Sequence, residues 1–152
     1  RQVFKNLVAN IRKSLKGIAI TTDVIVGFPG EAQETFKETL SFVQEIGFAD
    51  VHFFKYSPRK GTRSYDLKSG LSDKSLTDFM NSALRLKNQL KINFLKKFIN
   101  KKVEILVQEQ GFDYAEGLIS EYALVRAEKT GAVLGDVVEV KIKKLRENTL
   151  IA

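Results

Sequence analysis

A chain of 152 residues with 43% hydrophobic content holds enough apolar material for one ordinary domain, or for a small domain with part of another. It has no cysteine and no apolar run long enough to cross a bilayer, so it offers no disulfide, no thiolate metal ligand and no transmembrane helix. The net charge of +7 is uneven: residues 1–100 carry 17 Lys and Arg against 9 Asp and Glu, whereas residues 101–152 carry 8 against 9. A positive surface of this size suits polyanions such as nucleic acid, or is a solvated face.

The chain opens on Arg1 in what reads as mid-helix, with no signal-peptide pattern. Val3, Leu7, Ile11 and Leu15 recur every four residues among Lys5, Arg12, Lys13 and Lys16, which predicts an amphipathic helix ending near Gly17 with its apolar stripe against a sheet. A strand follows. Its alternation puts Ile18, Ile20, Thr22, Val24 and Val26 on one face and Ala19, Thr21, Asp23, Ile25 and Gly27 on the other. Asp23 is then a carboxylate in a run that otherwise reads as buried, where it needs a polar partner. Two readings stand: an internal hydrogen-bonded network to a Thr or Lys, or a ligand-facing residue in a barrel lumen.

Pro29 and Gly30 make a tight corner, and a helix is predicted from about Glu31 to Ile46, with Phe36, Leu40, Val43 and Ile46 on one stripe and Gly47 as its stop. Glu31 and Glu34 fall in its first turn, where the exposed amides favour negative charge. Val51 to Tyr56 forms the next strand, and the order helix, strand, helix, strand predicts parallel α/β units with right-handed crossovers. His52 is the only histidine; without a second His, a Cys or a paired carboxylate it reads as a hydrogen-bonded structural residue rather than a metal ligand. The loop SPRKGTRSYDLKSG brings Arg59, Lys60 and Arg63 to the carboxyl end of that strand, where cations meet phosphates or stay solvated.

Ser72 and Asp73 offer an N-cap to a long helix reaching about Asn100, with Leu76, Phe79, Met80, Leu84, Leu90, Phe94, Leu95, Phe98 and Ile99 in helical period. Its cations Arg85, Lys87, Lys91, Lys96 and Lys97 form a solvated face or one turned to RNA. From Lys101 the pattern changes to five short alternating strands: Val103 to Val107, Tyr114 to Ser120, Tyr122 to Arg126, Val138 to Ile142 and Thr149 to Ile151. With Gly111, Gly117, Gly131 and Gly135 at or near turns, they predict a small antiparallel β-barrel of the oligonucleotide-binding shape.

The eleven residues TTDVIVGFPGE, Thr21 to Glu31, closely resemble the strand and loop of the radical S-adenosylmethionine methylthiotransferases. Phe53, Tyr56, Ser57, Arg59, Gly61 and Thr62 match that family's next strand and loop, although Lys55 stands where a Pro is common and Arg63-Ser64-Tyr65 replaces a Pro-Ala-Ala-like run. The stretches YAEGLISEYALVRAEK and GDVVEVKIKK are similar to the TRAM module that closes these enzymes. The resemblance implies an α/β fold, residues 1–71 being the C-terminal part of a radical-SAM barrel with parallel strands, 72–100 a connector helix and 101–152 an RNA-binding TRAM domain. It implies a loose role beside the S-adenosylmethionine for Thr22, Asp23, Gly27, Pro29, Gly30 and Glu31, and names no catalytic residue and no metal ligand.

By the same resemblance the complete enzyme is cytoplasmic, takes tRNA, and uses S-adenosylmethionine and 4Fe-4S clusters to place a methylthio group on C2 of a modified adenosine beside the anticodon. The threonylcarbamoyladenosine branch is most similar, the isopentenyladenosine branch next and the ribosomal-protein branch third. The cluster-binding CxxxCxxC of the family is absent, so the chain reads as a C-terminal fragment, inactive alone and without cofactor of its own. A different class of reading is a non-enzymatic RNA-binding module of TRAM type. An unrelated α/β-barrel enzyme is disfavoured, since no nucleophile–base pair, metal triad or phosphate-binding glycine motif is present. A parallel sheet this small exposes its edges and one face, which predicts self-association.

Overall fold

Strands β1 (Thr21–Val26) and β2 (Asp50–Lys55) pair in parallel, with Thr21 opposite Asp50 and Val26 opposite Lys55, as the alternating order of helices and strands requires. The computed structural model describes residues 1–67, 70–128 and 130–152; Lys68 and Ser69 of the basic loop, and Lys129, lie outside the described residues. The chain divides into two compact units, Arg1–Leu90 and Lys91–Ala152, with the division inside a long helix.

In the first unit, α1 (Gln2–Ser14), α2 (Gln33–Ile46) and the leading part of α3 (Asp73–Leu95) share one apolar core with β1 and β2. Val26, Val51 and Phe53 supply it from the strands, Phe36, Val43 and Ile46 from α2, and Phe79, Ala83 and Leu86 from α3. The Phe36 and Phe79 rings stack at 4.1 Å between centroids, their planes nearly parallel. Gly47 ends α2 in the left-handed conformation at φ 65°, and the Arg12 guanidinium donates to the Ile46 and Gly47 carbonyls at 2.7 Å each, closing acceptors that the helix end leaves open. Ser72 caps α3, its hydroxyl accepting from the Ser75 amide at 3.1 Å.

The apolar stripe of α1 is not the one expected. Val3, Leu7 and Leu15 are exposed; Val8 is the buried residue of the helix, and Phe4, itself partly exposed, sets its ring 5.9 Å from that of Phe42 and 6.3 Å from that of Phe48. A strict four-residue repeat drifts about 40° per step around a helix of 3.6 residues per turn, whereas Phe4, Val8 and Ile11 stay on one line. Leu84 is likewise exposed, with Ala83 and Leu86 taking the core side of α3.

The second unit contains the end of α3, a 3-10 turn at Lys96–Phe98 and six strands: β3 (Lys102–Gln110), β4 (Tyr114–Leu118), β5 (Leu124–Glu128), β6 (Val137–Lys141), β7 (Lys144–Arg146) and β8 (Thr149–Ile151). They form one sheet in the order β6-β3-β4-β5-β8-β7. The expectation of five antiparallel strands is corrected in two ways. A short β7 precedes β8, and β5 pairs with β8 in parallel. The alternation from Lys102 buries Ile105 and Val107 on one face and leaves Glu104 and Leu106 on the other, so the sheet is covered on one side. Gly117 lies within β4, not at a turn: a Cβ there would meet the Leu106 carbonyl oxygen at 2.2 Å, next to the register shift between Val107 and Glu109.

All three helices of the first unit contribute to the core that meets Val26, Val51 and Phe53. The opposite face of β1 and β2 is bare: Asp23, Ile25, His52 and Phe54 are all exposed. Neither strand has a second pairing partner among the described residues. The chain alone is expected to self-associate through this face and these edges as concentration rises. Light scattering that gives a strict monomer over a hundredfold range of concentration would sink the idea.

Candidate functional site

The carboxyl ends of parallel strands are where α/β folds build sites, and here β1 and β2 both end beside turns that the sequence fixes tightly. After Val26 the chain passes through Gly27 at φ +80° and turns over Phe28-Pro29-Gly30-Glu31, where the Glu31 amide donates to the Phe28 carbonyl at 2.8 Å. Pro29 at the second place and Gly30 at φ +89° in the third are what a type II turn demands. The Glu31 carboxylate does not sit in the first turn of α2, which begins at Gln33; it folds back and accepts the Gly27 amide at 2.6 Å. That charge-assisted bond holds the turn against the end of β1. Leu76 of α3 covers Gly27 closely enough that a Cβ there would lie 2.6 Å from the Leu76 Cδ1.

Beyond β2, the Tyr56 amide donates to the Val26 carbonyl at 2.8 Å and its hydroxyl donates to the Ser64 carbonyl at 2.9 Å, which folds the basic loop back over the strand ends. The Phe28 ring meets the Tyr56 ring edge-on at 5.1 Å. Thr62 closes the loop by donating to the Arg59 carbonyl from its amide at 3.2 Å and from its hydroxyl at 2.8 Å. The result is a hollow of about 400 Å³ lined by Ile25, Phe28, Phe54, Tyr56, Arg59 and Thr62 among others.

The residues singled out in the sequence take different places around it. Asp23 is exposed on the bare face, in register with His52, so it forms no internal network and the burial expected for it does not occur. Thr22 points to the covered side of β1, its hydroxyl donating to the Asp23 carbonyl at 3.4 Å. Gly27 is buried under Leu76, Pro29 and Gly30 shape the turn, and Glu31 holds it. Arg59 lines the hollow, while Lys60 and Arg63 are exposed on the loop around it. His52 is an exposed ring stacked at 5.3 Å on Phe54 rather than a hydrogen-bonded core histidine.

Ile25, Phe28 and Phe54 are the lining residues that a reading focused on polar side chains passes over. Their signal is parity: Ile25 shares its strand face with Asp23, and Phe54 with His52. Among the described residues no group of His, Asp and Glu is arranged to hold a metal ion.

No family model matches the chain. It is 32% identical over 94% of its length to the threonylcarbamoyladenosine tRNA methylthiotransferase MtaB of Bacillus subtilis, and covers 33% of that protein. It is 36% identical over 92% of its length to the tRNA-2-methylthio-N(6)-dimethylallyladenosine synthase of a Sulfurihydrogenibium species, covering 32% of it. A protein of the latter name from Tropheryma whipplei is 38% identical over 71% of the chain, which covers 23% of that relative. The chain belongs to the tRNA methylthiotransferase family.

The chain thus spans about a third of the length of the curated methylthiotransferases it matches. Of the groups the family implies, an iron–sulfur cluster does not fit these residues, because the sequence has no cysteine to ligate it. The hollow at the strand ends brings together Ile25, Phe28 and Phe54, an apolar lining that a flat ring such as a purine fits; Asp23 lies on the same strand face as Ile25, two residues before it and outside that lining.

Replacing Gly27 by Ala is expected to lower unfolding free energy by roughly 1–3 kcal/mol, from the positive φ together with the Leu76 contact. Urea unfolding checks it. In a Leu76→Ala background the same change should weaken stability less, since one of its two causes has been removed.

Proposed function

We propose that the chain is the part of a radical-SAM tRNA methylthiotransferase that lies beside the cofactor and the RNA, in an enzyme that adds a methylthio group to C2 of a modified adenosine next to the anticodon. The observation that carries the reading is the open hollow at the ends of β1 and β2, beside the turn held by the Glu31–Gly27 bond and lined by Ile25 and Phe28 of the family-like TTDVIVGFPGE stretch together with Phe54, Tyr56 and Arg59. Residues 1–71 are assigned to the C-terminal part of the barrel, 72–100 to the connector and 101–152 to the TRAM module, in a cytoplasmic enzyme.

S-adenosylmethionine, when bound, would supply the methyl group and the radical chemistry; in this chain Ile25 and Phe28 would pack on its adenine and Asp23 would accept from its hydroxyls. The turn at Pro29 and Gly30 would hold Phe28 in place, and the aromatic lining would exclude water from the reacting region. Cluster ligands must come from residues outside this chain, and alone it is expected to be inactive. Threonylcarbamoyladenosine is the preferred substrate, on the likeness of the strand motifs; the dimethylallyladenosine branch is the alternative, since relatives bearing both names are similar.

A chimera in which this chain replaces the matching third of the Bacillus subtilis protein tests both statements. Expressed in a strain lacking its own methylthiotransferases, it should restore 2-methylthio-threonylcarbamoyladenosine in hydrolysed tRNA, read by mass spectrometry. Appearance of the dimethylallyl product alone would move the assignment to the other branch, and a folded chimera yielding neither would overturn the reading.

Arg59, Lys60 and Arg63 are assigned to the RNA surface, with Arg59 nearest the hollow. Replacing all three by Gln should make tRNA binding by the chain less steep in salt, by about 2 in the slope of log affinity against log salt, because each cation releases counterions from a phosphate. An unchanged slope removes the loop from that surface.

A further inference from the structure

The hollow at the carboxyl ends of β1 and β2 changes in chemistry along the strands. On the bare face Asp23 stands in register with His52, and two residues further on Ile25 stands in register with Phe54. The last rung pairs Val26 with Lys55, and beyond it the Tyr56 amide donates to the Val26 carbonyl at 2.8 Å. From that rung onward the lining is polar. Its charged residues, Lys55 and Arg59, are both cations; the hydroxyls of Tyr56, Ser57, Thr62 and Ser64 complete it, and among the described residues no carboxylate lines it.

Neither cation is neutralised from within the chain. Among the described residues no carboxylate lies within ion-pair distance of Lys55 or Arg59, and both are exposed to solvent. A ligand that fills the hollow takes water from them, which costs free energy unless the ligand brings an anion. The loop that carries Arg59 is held in place: the Thr62 hydroxyl donates to the Arg59 carbonyl at 2.8 Å and lies 3.3 Å from the Ser64 hydroxyl.

Two of these polar residues are also where the chain departs from the family pattern. Lys55 stands at the position where a Pro is common, and Ser64 belongs to Arg63-Ser64-Tyr65, which replaces a Pro-Ala-Ala-like run. Both departures line the hollow, and both set a polar side chain where the pattern has an apolar one. Arg59, by contrast, is shared with the pattern.

We infer that Lys55 is a specificity-determining residue, receiving, together with Arg59, a carboxylate carried by the N6 substituent of the target adenosine; the inference deepens the threonylcarbamoyladenosine reading above and rests on it. The two candidate substituents differ in the chemistry that this lining distinguishes. A threonylcarbamoyl group ends in a carboxylate and a hydroxyl, whereas a dimethylallyl group is wholly apolar. The carboxylate pairs with the Lys55 ammonium in a charge-assisted hydrogen bond, and the hydroxyl finds partners in Thr62 and Ser64. The apolar group covers the same ammonium and returns no hydrogen bond, so it is disfavoured by the desolvation of a charge left unpaired.

Fluorescence anisotropy on the full chain tests this with three anticodon stem-loops of one sequence, whose adenosine beside the anticodon carries threonylcarbamoyl, its methyl ester or dimethylallyl. The ester keeps the shape and removes the charge. Wild type is expected to bind the free acid at least about tenfold more tightly than either neutral form. Lys55→Gln should cut that preference to below about threefold by weakening the acid alone, and Lys55→Arg, which retains the charge, should keep it. Lys60→Gln, on the loop but outside the lining, should weaken all three stem-loops alike and leave the preference intact. A wild type indifferent to the charge, a preference that survives Lys55→Gln, or a Lys55→Gln loss shared by all three stem-loops, which marks a phosphate contact, would each overturn the inference. A surviving preference or a shared loss leaves the threonylcarbamoyladenosine reading standing, whereas a wild type that prefers the dimethylallyl stem-loop, or binds none of them, overturns both.

Discussion

Two parallel strands buried on one side only are the constraint from which the functional surface follows. Backbone pairing fixes β1 against β2, and the period of two then sends Val26, Val51 and Phe53 inward while Asp23, Ile25, His52 and Phe54 go outward together. Helices α1, α2 and α3 all supply the same core, and among the described residues Asp23, Ile25, His52 and Phe54 on the outward face stay exposed. A face of this kind is normally covered in parallel sheets. Here it carries a carboxylate, an imidazole and two large apolar side chains, all exposed.

Precision at this face comes from the turn, not from the strands. Gly27 is the only residue type that takes φ +80° without strain while lying under Leu76, and its amide would be left unpaired in a half-buried place without the Glu31 carboxylate. Pro29 and Gly30 set the two dihedrals that bring Glu31 back within reach. The same four residues therefore fix where Phe28 stands, and Phe28 in turn meets Tyr56, whose hydroxyl anchors the basic loop at Ser64. A motif that looks like a cofactor signature in sequence is, in the folded chain, largely a device for aiming one aromatic side chain and one loop.

Much of the first unit was legible because its signals are local. Ser72 caps α3, Gly47 stops α2, and Phe36, Val43 and Ile46 hold the period of a helix against a sheet. The face of α1 differs from the expected one because a four-residue repeat imitates a helical stripe over two turns before drifting off it, leaving Val3 and Leu7 exposed and Val8 buried, with the Phe4 ring beside Phe42. The expected burial of Asp23 fails for a different reason: alternation tells which residues share a strand face but not whether anything covers it. In the second unit β7 is three residues long and β8 joins β5 in parallel, a pairing between distant segments that no local pattern encodes. Glu31 illustrates the same limit at the site, since a carboxylate near a helix start reads as a dipole partner until the turn geometry shows it reaching back to Gly27.

Charge shows most directly what a count of residues leaves out. From Lys101 onward the sequence is one unit short of neutral, 8 basic residues against 9 acidic, and a sum of that size argues against an electrostatic surface. Strand register changes the conclusion, because a period of two and the pairing of β3 with β6 put Lys102 beside Lys141 and Glu104 beside Glu139. At 0.15 M salt charges are screened beyond about 8 Å, so a polyanion senses the nearest band and little of the total. Lys96 and Lys97, where the helical period predicts helix to about Asn100, stand instead on a 3-10 turn just before β3. A surface built in this way has a direction, with cations at one end, carboxylates next and an apolar row beyond them.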